Sequence, residues 1–410
     1  MVNPRSVLES TASQVLLADW VMGPEAVPIK CGALGLFEGR ISRVFEGHGA
    51  ARRWAESHSA RVQVLPSGIL APGWVNAHCH LELTGLAGQV SCEGGFFRWI
   101  GRIMHAKAAM DLADYRRGVQ LGADRLLRGG TTSVGDIDSQ NVGGDIDSPI
   151  RMLLYREALD AFHPHRTQAA LASVVQPMGL REGLQEGLAP HASFTASAAL
   201  LRGMAEVARS RSLPVTVHWS ETQAEVDWLR DGEGSLAAVL GPSPHQSGLD
   251  LIEQAGLLES TLSLVHGNWP AAGEAERIAQ AGATLVHCPG SHSFFGRERF
   301  PLEEYLEAGV CLAIGTDSQA SNQELSMGRE VALLRAAYPE LDARSAFLMG
   351  TEHGARALGW TTWVGRILEG FRADLSLFGA QEMSQDDVLE RLTTENLPVV
   401  GVWVEGRRVV

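Results

Sequence analysis

The middle of the chain alternates short apolar runs with amphipathic stretches, and this alternation limits the possible folds more than any other feature of the sequence. The apolar runs have the length of β-strands, whereas stretches such as 115–128, 198–212 and 273–281 repeat their apolar residues with a helical period. Eight strands alternating with helices predict a closed parallel (β/α)8 TIM barrel, an α/β fold. The predicted strands are 73–77, 132–136, 151–155, 170–175, 215–218, 262–266, 284–287 and 310–315.

The structural alternative for such an alternation is an open, doubly wound sheet. That fold commonly carries a Gly-x-Gly-x-x-Gly loop after its first strand, and no such loop follows residue 77. The closed barrel is therefore the preferred interpretation.

Both ends of the chain differ from the middle and resemble each other. Residues 13–22, 30–46, 373–378 and 399–410 read as short strands broken by turns that contain glycine. Each end alone has too few strands to bury a core. We therefore expect residues 1–70 and 363–410 to form one composite β-sandwich domain, with residues 71–362 inserted between them as the barrel.

Composition and charge exclude several classes of protein. With 410 residues, 45% of them hydrophobic and 20% charged, the chain is long enough for a large barrel and a small second domain. The formal net charge of −14 argues against nucleic acid as a partner, because phosphate contacts need a basic surface. No apolar run approaches the roughly 18 residues of a membrane span, so we expect no membrane association.

The N-terminus and the cysteines bear on the location of the protein. The first six residues lack the basic segment and the apolar core of a secretory signal. The five cysteines are scattered and include no Cys-x-x-Cys pair; they stand at positions 31, 79, 92, 288 and 311. Both features predict a reducing, cytoplasmic setting.

Five His or Asp residues lie at or just past the carboxyl ends of the predicted strands. His78 and His80 follow the first strand, and the fifth, sixth and eighth strands are followed by His218, His266 and Asp317. In a (β/α)8 barrel this face carries the active site, so residues far apart in sequence converge there. The His-Cys-His tripeptide has the period-2 spacing of a strand, which puts both imidazoles on one side. Together with a third imidazole and a carboxylate they match a catalytic metal site that keeps one position open for water.

Three short motifs resemble those of a known family. Residues 72–80, Pro-Gly-Trp-Val-Asn-Ala-His-Cys-His, resemble the first-strand signature of the amidohydrolase superfamily. Residues 218–222, His-Trp-Ser-Glu-Thr, are similar to the His-x-x-Glu-Thr motif of its adenosine-type and cytosine-type deaminases. Gly-Thr-Asp-Ser at 315–318, followed by Ala-Ser-Asn at 320–322, resembles the eighth-strand motif of the same mononuclear branch. The order and spacing of the motifs fit over about residues 10–408.

The resemblance implies a role for each of these residues. One divalent metal ion, zinc in the first place and iron as the alternative, is expected to be held by His78, His80, His218 and Asp317. The ion would lower the pKa of a bound water from about 15.7 toward about 7. Glu221 would carry the water proton to a ring nitrogen of the substrate, His266 would orient the hydroxide or polarise the attacked carbon, and Asp317 would double as a base. The structural alternatives are a helix N-terminal carboxylate for Glu221 and a hydrogen-bonded core histidine for His266.

The lysines bear on the number of metal ions. Binuclear members of the superfamily bridge two metals with a carboxylated lysine at the end of the fourth strand. The chain has only two lysines, Lys30 in the terminal β module and Lys107 in the first helix of the barrel, and neither falls at that place. The resemblance therefore implies one metal ion.

Further motifs narrow the substrate. His191, in Ala-Pro-His-Ala-Ser, resembles the nucleoside-contacting Pro-His of S-adenosylhomocysteine and methylthioadenosine deaminases. Residues 287–296, His-Cys-Pro-Gly-Ser-His-Ser-Phe-Phe-Gly, are similar to a stretch of the aminofutalosine deaminases of menaquinone synthesis, as is Glu82 in His-Leu-Glu-Leu. Gly290 departs from the arginine expected there. The loop 94–99, which ends in Trp99, is either an aromatic lid over a purine or a simple hydrophobic cap. The expected substrate contacts are Glu82, Trp99, His191 and Ser318.

The preferred functional interpretation is a metal-dependent aminohydrolase. It would convert a 6-aminopurine nucleoside, such as aminofutalosine or methylthioadenosine, to the 6-oxo form with release of ammonia. One alternative is a hydrolase of the same branch that acts on another ring, as in guanine deamination or triazine dechlorination. The other is a non-catalytic binding relative, which the complete set of ligands together with Glu221 disfavours. The expected partner is a small molecule, and a homodimer stays open.

Overall fold

The computed structural model describes residues 13–410 except Phe162, Gly179, Arg181, Ser260 and Glu382. The expected absence of a secretory signal concerns the first six residues, which lie outside this range. A short 3-10 turn at Pro24–Ala26 interrupts the N-terminal strands. The elements before the barrel are β1 (Gln14–Leu17), β2 (Trp20–Met22), β3 (Pro28–Lys30), β4 (Ala33–Phe37), β5 (Arg40–Phe45), α1 (His48–Ser57), β6 (Arg61–Val64) and β7 (Gly68–Pro72).

Eight parallel strands pair in chain order and confirm the predicted TIM barrel. The barrel closes between its eighth and first strands. The N–H groups of Thr316 and Asp317, just after the eighth strand, both donate to the His78 carbonyl of the first strand at 3.1 Å. Asn76 also links the first and eighth strands. Its side-chain amide donates to Thr316 Oγ1 at 2.7 Å and accepts from the Thr316 N–H at 3.1 Å. The barrel strands are β8 (Trp74–Cys79), β9 (Thr131–Asp138), β10 (Arg151–Ala158), β11 (Leu184–Pro190), β12 (Val215–Trp219), β13 (Leu262–His266), β14 (Thr284–His287) and β15 (Cys311–Ile314).

Helices cover the outside of the barrel, and three more strands complete the chain. Among the described residues, no helix combines the length and the apolar character that crossing a membrane requires. The helices are α2 (Phe96–Ala108), α3 (Leu112–Arg128), α4 (Pro164–Val175), α5 (Ala198–Arg211), α6 (Gln223–Asp231), α7 (Ala237–Leu240), α8 (Gly248–Gln254), α9 (Glu274–Ala281), α10 (Pro289–Phe294), α11 (Leu302–Glu307), α12 (Met327–Ala337), α13 (Ala343–Met349) and α14 (Glu352–Ala357). The last elements are β16 (Leu375–Gly379), α15 (Gln385–Thr394), β17 (Val399–Val404) and β18 (Arg407–Arg408).

The prediction of the fourth barrel strand is wrong. Residues 170–175 end helix α4, and the strand that pairs with β10 is β11, further along the chain. The Val174-Val175 pair favoured a strand, but a proline in the first turn and the alanines that follow stabilise a helix here. Glu186 and Gly187 interrupt the apolar residues of β11, so its sequence lacks the pattern of a buried strand.

The two ends of the chain share one sheet. Its six strands are ordered β18-β17-β16-β7-β2-β3, with β7 antiparallel to β16 and parallel to β2. A second sheet, β5-β4-β1-β6, comes from the N-terminal part. Together the sheets form the small β-sandwich of the predicted fold, although the domain boundaries at residues 70 and 363 stay a prediction. The shared core includes Leu16, Val21, Leu34, Leu70, Leu375, Leu377 and Trp403.

Candidate active site

The predicted metal and catalytic residues meet at the carboxyl end of the barrel. His78 lies near the end of β8, and His80 follows that strand directly. His218 lies in β12, His266 is the last residue of β13, and Asp317 follows β15. The carboxyl ends of parallel barrel strands form one rim, so the convergence follows from the fold.

The side-chain atoms of this cluster approach one another closely. His80 Nε2 lies 3.3 Å from His218 Nε2, and Asp317 Oδ1 lies 3.6 Å from His80 Nε2 and 3.8 Å from His78 Nε2. His78, His218 and His266 also offer ligand atoms that all lie within 4.8 Å of one another. Nitrogen and carboxylate donors at this spacing are typical of a divalent-metal site.

His78 provides the strongest sign that the cluster binds something. Its side chain is 1% exposed, and neither ring nitrogen has a hydrogen-bond partner among the described residues. Burial, together with the neighbouring His218, lowers the pKa of His78 to about 3, so the ring is neutral. A buried polar group without a partner costs free energy. The neutral, unpartnered ring therefore fits a divalent metal ion as its ligand.

His218 is oriented by the backbone of His191. His218 Nδ1 lies 2.6 Å from the His191 carbonyl oxygen, so Nδ1 is the donor and the lone pair of Nε2 faces His80. The His191 ring is 5.1 Å from the His218 ring and bonds through Nδ1 to Thr195 Oγ1 at 2.7 Å. His191 thus lies beside the cluster, whereas its contact with substrate stays a prediction.

Asp317 is held by three hydrogen bonds. Its Oδ2 accepts from the hydroxyls of Ser291 at 2.7 Å and Ser321 at 3.0 Å, and its Oδ1 accepts from the Ser318 N–H at 2.6 Å. Burial raises the pKa of Asp317, but the nearby histidines and the Ser291 bond outweigh it and leave the pKa below its ordinary value. The carboxylate is therefore ionised. Sequence reasoning missed Ser291 and Ser321, although both stand inside the motifs that it used.

Glu221 lies beside His266. Glu221 Oε1 is 3.7 Å from His266 Nε2, and both side chains are buried. Burial raises the pKa of the Glu221 carboxyl by more than Arg297 and His218 lower it. Burial also holds the pKa of His266 well below its ordinary value, so that ring is neutral. A carboxyl with a raised pKa takes up a proton more readily than an ordinary carboxylate, as the predicted shuttle requires.

Glu225, which sequence reasoning missed, fixes the turn that carries Glu221. Its buried carboxylate accepts from the N–H of Glu221 at 2.9 Å, from the N–H of Ser220 at 3.1 Å and from the Ser193 hydroxyl at 2.8 Å. Ser220 needs this support, because its φ of 49° is in the left-handed region. Glu225 stands three residues after the N-cap Thr222, and this spacing was a readable signal of a supported helix start.

Arg297 is a second residue that the sequence did not indicate. Its Nη2 donates to Glu221 Oε1 at 2.7 Å, and its side chain is 5% exposed. The guanidinium lies over the rings of Phe295 and Phe96, at 4.7 Å and 5.5 Å from their centroids. Only the folded chain brings this arginine to Glu221, so no local motif could have identified it.

Glu82 and Lys107 form a buried pair near the same rim. Glu82 lies in the 3-10 helix Leu81–Leu86 and accepts from Lys107 Nζ at 3.1 Å and from Ser139 Oγ at 2.6 Å. Its Oε2 is buried and has no hydrogen-bond partner among the described residues. Lys107 lies in α2, and the residue that follows the fourth barrel strand is His191. This placement agrees with the expectation that no lysine bridges two metals.

Trp99 lies in a helix, so the prediction of a loop at 94–99 is wrong for residues 96–99. Gly95, with φ of 88°, precedes α2, and Phe96 and Trp99 occupy the first turn of that helix. Trp99 Nε1 donates to the Ala320 carbonyl at 3.3 Å, and its ring lies 5.1 Å from Phe295. We call Phe96, Trp99 and Phe295 the aromatic cap. It packs on the segment after β15 that contains Ser318.

Gly290 stands where the motif led us to expect an arginine, and any side chain at this position would have to displace Asn322 and Glu330. An added Cβ would lie 2.4 Å from Asn322 Nδ2 and from Glu330 Oε1. The Gly290 N–H also donates to Glu330 Oε2 at 2.6 Å. The departure from the motif therefore goes with the close packing of Asn322 and Glu330 on the turn that carries Ser291.

Comparison with known families decides the relationship. The sequence pattern of the Amidohydrolase family matches residues 69–409, which is most of the chain. The chain belongs to the amidohydrolase family. The predicted resemblance is confirmed, and the metal dependence of the family agrees with the cluster of histidines and Asp317.

Curated relatives of this amidohydrolase carry deaminase names. A 5-methylthioadenosine/S-adenosylhomocysteine deaminase of Thermococcus kodakarensis is 30% identical over 325 residues, which cover 75% of this chain and 73% of the relative. The aminodeoxyfutalosine deaminase of Deinococcus radiodurans is 30% identical over 364 residues, which cover 80% and 83%. The predicted similarity to the deaminase branch is confirmed by these relatives.

A solved structure has the same architecture as this amidohydrolase. Aminofutalosine deaminase of Helicobacter pylori, in complex with methylthio-coformycin, superposes with a TM-score of 0.86 at 23% identity. The match covers 97% of this chain and 100% of the other. It shows that the two proteins share a fold.

Proposed function

We propose that this amidohydrolase deaminates a 6-aminopurine nucleoside to its 6-oxo form with release of ammonia. One observation carries the proposal: the neutral imidazoles of His78, His80 and His266, the ionised Asp317 and the Glu221 carboxyl with its raised pKa meet at one rim of the barrel. Metal-assisted hydrolysis uses ligands that hold the ion and a side chain that moves protons, and this set offers both. The deaminase names of the curated relatives support the same class of reaction.

The proposed metal site binds one divalent ion, with zinc as the first candidate and iron as the alternative. Imidazole nitrogens and one carboxylate are the donors that catalytic zinc sites use. The depressed pKa of His78 favours binding, because a neutral ring need not lose a proton first. When bound, such an ion supplies a nucleophile at neutral pH by lowering the pKa of a coordinated water to about 7. The proposed ligands are His78, His80, His218 and Asp317.

Glu221 and Asp317 would move the two protons of the attacking water. Glu221 takes one proton and hands it to ring nitrogen N1, beside the attacked carbon C6. The water oxygen then bonds to C6 without leaving negative charge on the ring. Asp317 accepts the second proton, which leaves with the amino group as ammonia when the bond between C6 and that nitrogen breaks. His266, neutral and 3.7 Å from Glu221, is placed to orient the water.

The finer identity of the substrate is also a proposal. Glu82 Oε2, which has no partner among the described residues, can accept a hydroxyl of the sugar, and the aromatic cap can stack on the base. His191 and Ser318 are the other proposed contacts. Aminofutalosine and methylthioadenosine are the first candidates, and aminofutalosine would give the protein a role in menaquinone synthesis. A cytoplasmic location and a homodimer stay predictions.

Ammonia release from a small panel of compounds, with chloride release measured for the chlorotriazine, tests the proposal. The panel holds aminofutalosine, methylthioadenosine, adenosine, guanine and a chlorotriazine, with chelator-treated protein as the control. We expect one of the three nucleosides to be the best substrate by at least about tenfold in kcat/KM. Fastest turnover of guanine or of the triazine would favour the alternative hydrolase. No turnover of any compound would favour the non-catalytic binding protein.

A further inference from the structure

Arg297 is a buried cation in contact with the proposed proton carrier. Its side chain is 5% exposed, and its Nη1 has no hydrogen-bond acceptor among the described residues. Burying a guanidinium with one nitrogen unpaired is costly, and an exposed polar residue would avoid that cost. Stability alone therefore does not explain the placement of Arg297, which favours a role in the chemistry of the site.

Asn268 bridges the Glu221 turn and the segment that carries Arg297. Asn268 Nδ2 donates to the Glu221 carbonyl at 3.0 Å, and Asn268 Oδ1 lies 3.1 Å from His292 Nδ1. His292 Nε2 lies 2.7 Å from the Glu298 carbonyl oxygen. The backbone N–H of Arg297 donates to the His292 carbonyl at 3.3 Å. The His292 ring is neutral and has one N–H, so it donates to one of these two oxygens and braces this segment. The backbone and the side chain of Glu221 are held by one connected network.

The aromatic cap belongs to the same network. Phe295 lies under the guanidinium at 4.7 Å and packs edge to face against Trp99 at 5.1 Å. A cation over a ring face is attracted by the ring quadrupole, and Arg makes this contact more often than Lys. Both the aromatic cap and Glu221 therefore hold Arg297.

We propose that Arg297 is a positioning residue that fixes the rotamer of Glu221 for proton transfer. It binds Oε1, on the side of His266, and so leaves Oε2 for the water and the ring nitrogen. Arg297 acts through Glu221 and needs no contact with substrate. The inference rests on the proposed function, since it assigns Glu221 the role of shuttle.

Kinetics of Arg297→Gln and Arg297→Lys test the positioning role. Arg299→Gln is the matched control, because Arg299 lies two residues further on and pairs at the surface with Glu340 at 2.7 Å. With the best substrate of the panel, we expect kcat of Arg297→Gln to fall about 10²-fold with KM within about threefold, as for a catalytic group displaced by about 1 Å. The kcat of Arg297→Lys should fall by about tenfold, because the lysine ammonium lacks the planar array of N–H donors of a guanidinium. Added guanidinium ion should restore activity to Arg297→Ala and should not change Arg299→Ala.

Several results would overturn this inference. The first is a kcat of Arg297→Gln within about threefold of wild type. The second is a change in KM of Arg297→Gln with no change in kcat, and the third is an equal loss of kcat in Arg299→Gln. If Arg297→Gln shows no cooperative thermal transition and is therefore not folded, the kcat and KM of Arg297→Lys test the inference by the same criteria. Equal metal content in all variants is required, because loss of the ion would mimic the effect.

A double-mutant cycle separates this inference from the proposed function. Urea unfolding of Arg297→Gln, Glu221→Gln and the double variant needs no substrate. We expect the two substitutions to be non-additive, because the residues are in direct contact. Additive effects would overturn the inference even in an active deaminase. A wild-type protein that releases no ammonia from any compound of the panel would overturn the proposed function, while the cycle would still decide whether Arg297 holds Glu221.

Discussion

Glu221→Gln is expected to keep its metal and its affinity for a 6-aminopurine nucleoside while turnover falls by at least about 10³. Glutamine keeps the shape of the side chain and its hydrogen bond from Arg297, but it cannot carry a proton. Displacement of an amino group from an aromatic ring requires protonation of the neighbouring ring nitrogen as water adds. Without a carrier, negative charge builds on the ring. Ammonia release, metal analysis and nucleoside binding measure the three quantities.

The control for this prediction is Glu340→Gln. Glu340 is an exposed carboxylate with a side chain 56% accessible, paired with Arg299 at the surface. Its replacement should leave the rate within about twofold of wild type. A Glu221→Gln variant that deaminates within about tenfold of the parent would mean that Glu221 is not the shuttle, and the deaminase proposal would lose its main mechanistic support.

His80→Ala is expected to lose both the metal and the activity. His80 Nε2 faces His218 at 3.3 Å and Asp317 at 3.6 Å, so its removal opens one side of the donor set. A metal ion contributes several kcal/mol of transition-state stabilisation, which corresponds to roughly two to four orders of magnitude in rate. Metal analysis after gel filtration should find well under one ion per chain, and the rate of ammonia release should fall by at least about 10²-fold.

His105→Ala is the matched control for His80→Ala. His105 lies on an exposed face of α2, so its removal should change neither metal content nor rate. The ligand assignment would be wrong if His80→Ala kept a full complement of metal with a rate within about tenfold of wild type.

The sequence predicted the fold and the site where local pattern and barrel geometry agree. The His-Cys-His tripeptide, His218 and Asp317 could be placed together from the sequence alone, because parallel strands of a closed barrel end on one rim. The position of the fourth strand was predicted wrongly for two reasons. The apolar residues of the true strand are interrupted, and the Val174-Val175 pair at the end of a helix has the composition of a strand. A short apolar run does not distinguish the two by its period.

Contacts between distant segments were beyond the reach of sequence reasoning. Arg297 and Glu221 are 76 positions apart, and only the packing of the turn after β14 on the turn after β12 brings them together. The same is true of Ser291, which reaches Asp317 from 26 positions away. In contrast, Glu225 left a local signal, a carboxylate three residues after a helix N-cap, that could have been read as support for the Glu221 turn.

Titration of metal-free protein with zinc, followed by ammonia release from the best nucleoside of the panel, tests the central claim most directly. We expect no release above the uncatalysed rate without metal, a linear rise on addition of zinc, and a plateau at one ion per chain. The donor set around His78 has the composition of one catalytic site, and no lysine stands where a second ion would be bridged. Deamination by the metal-free protein, or a plateau at two ions per chain, would contradict the proposed mechanism.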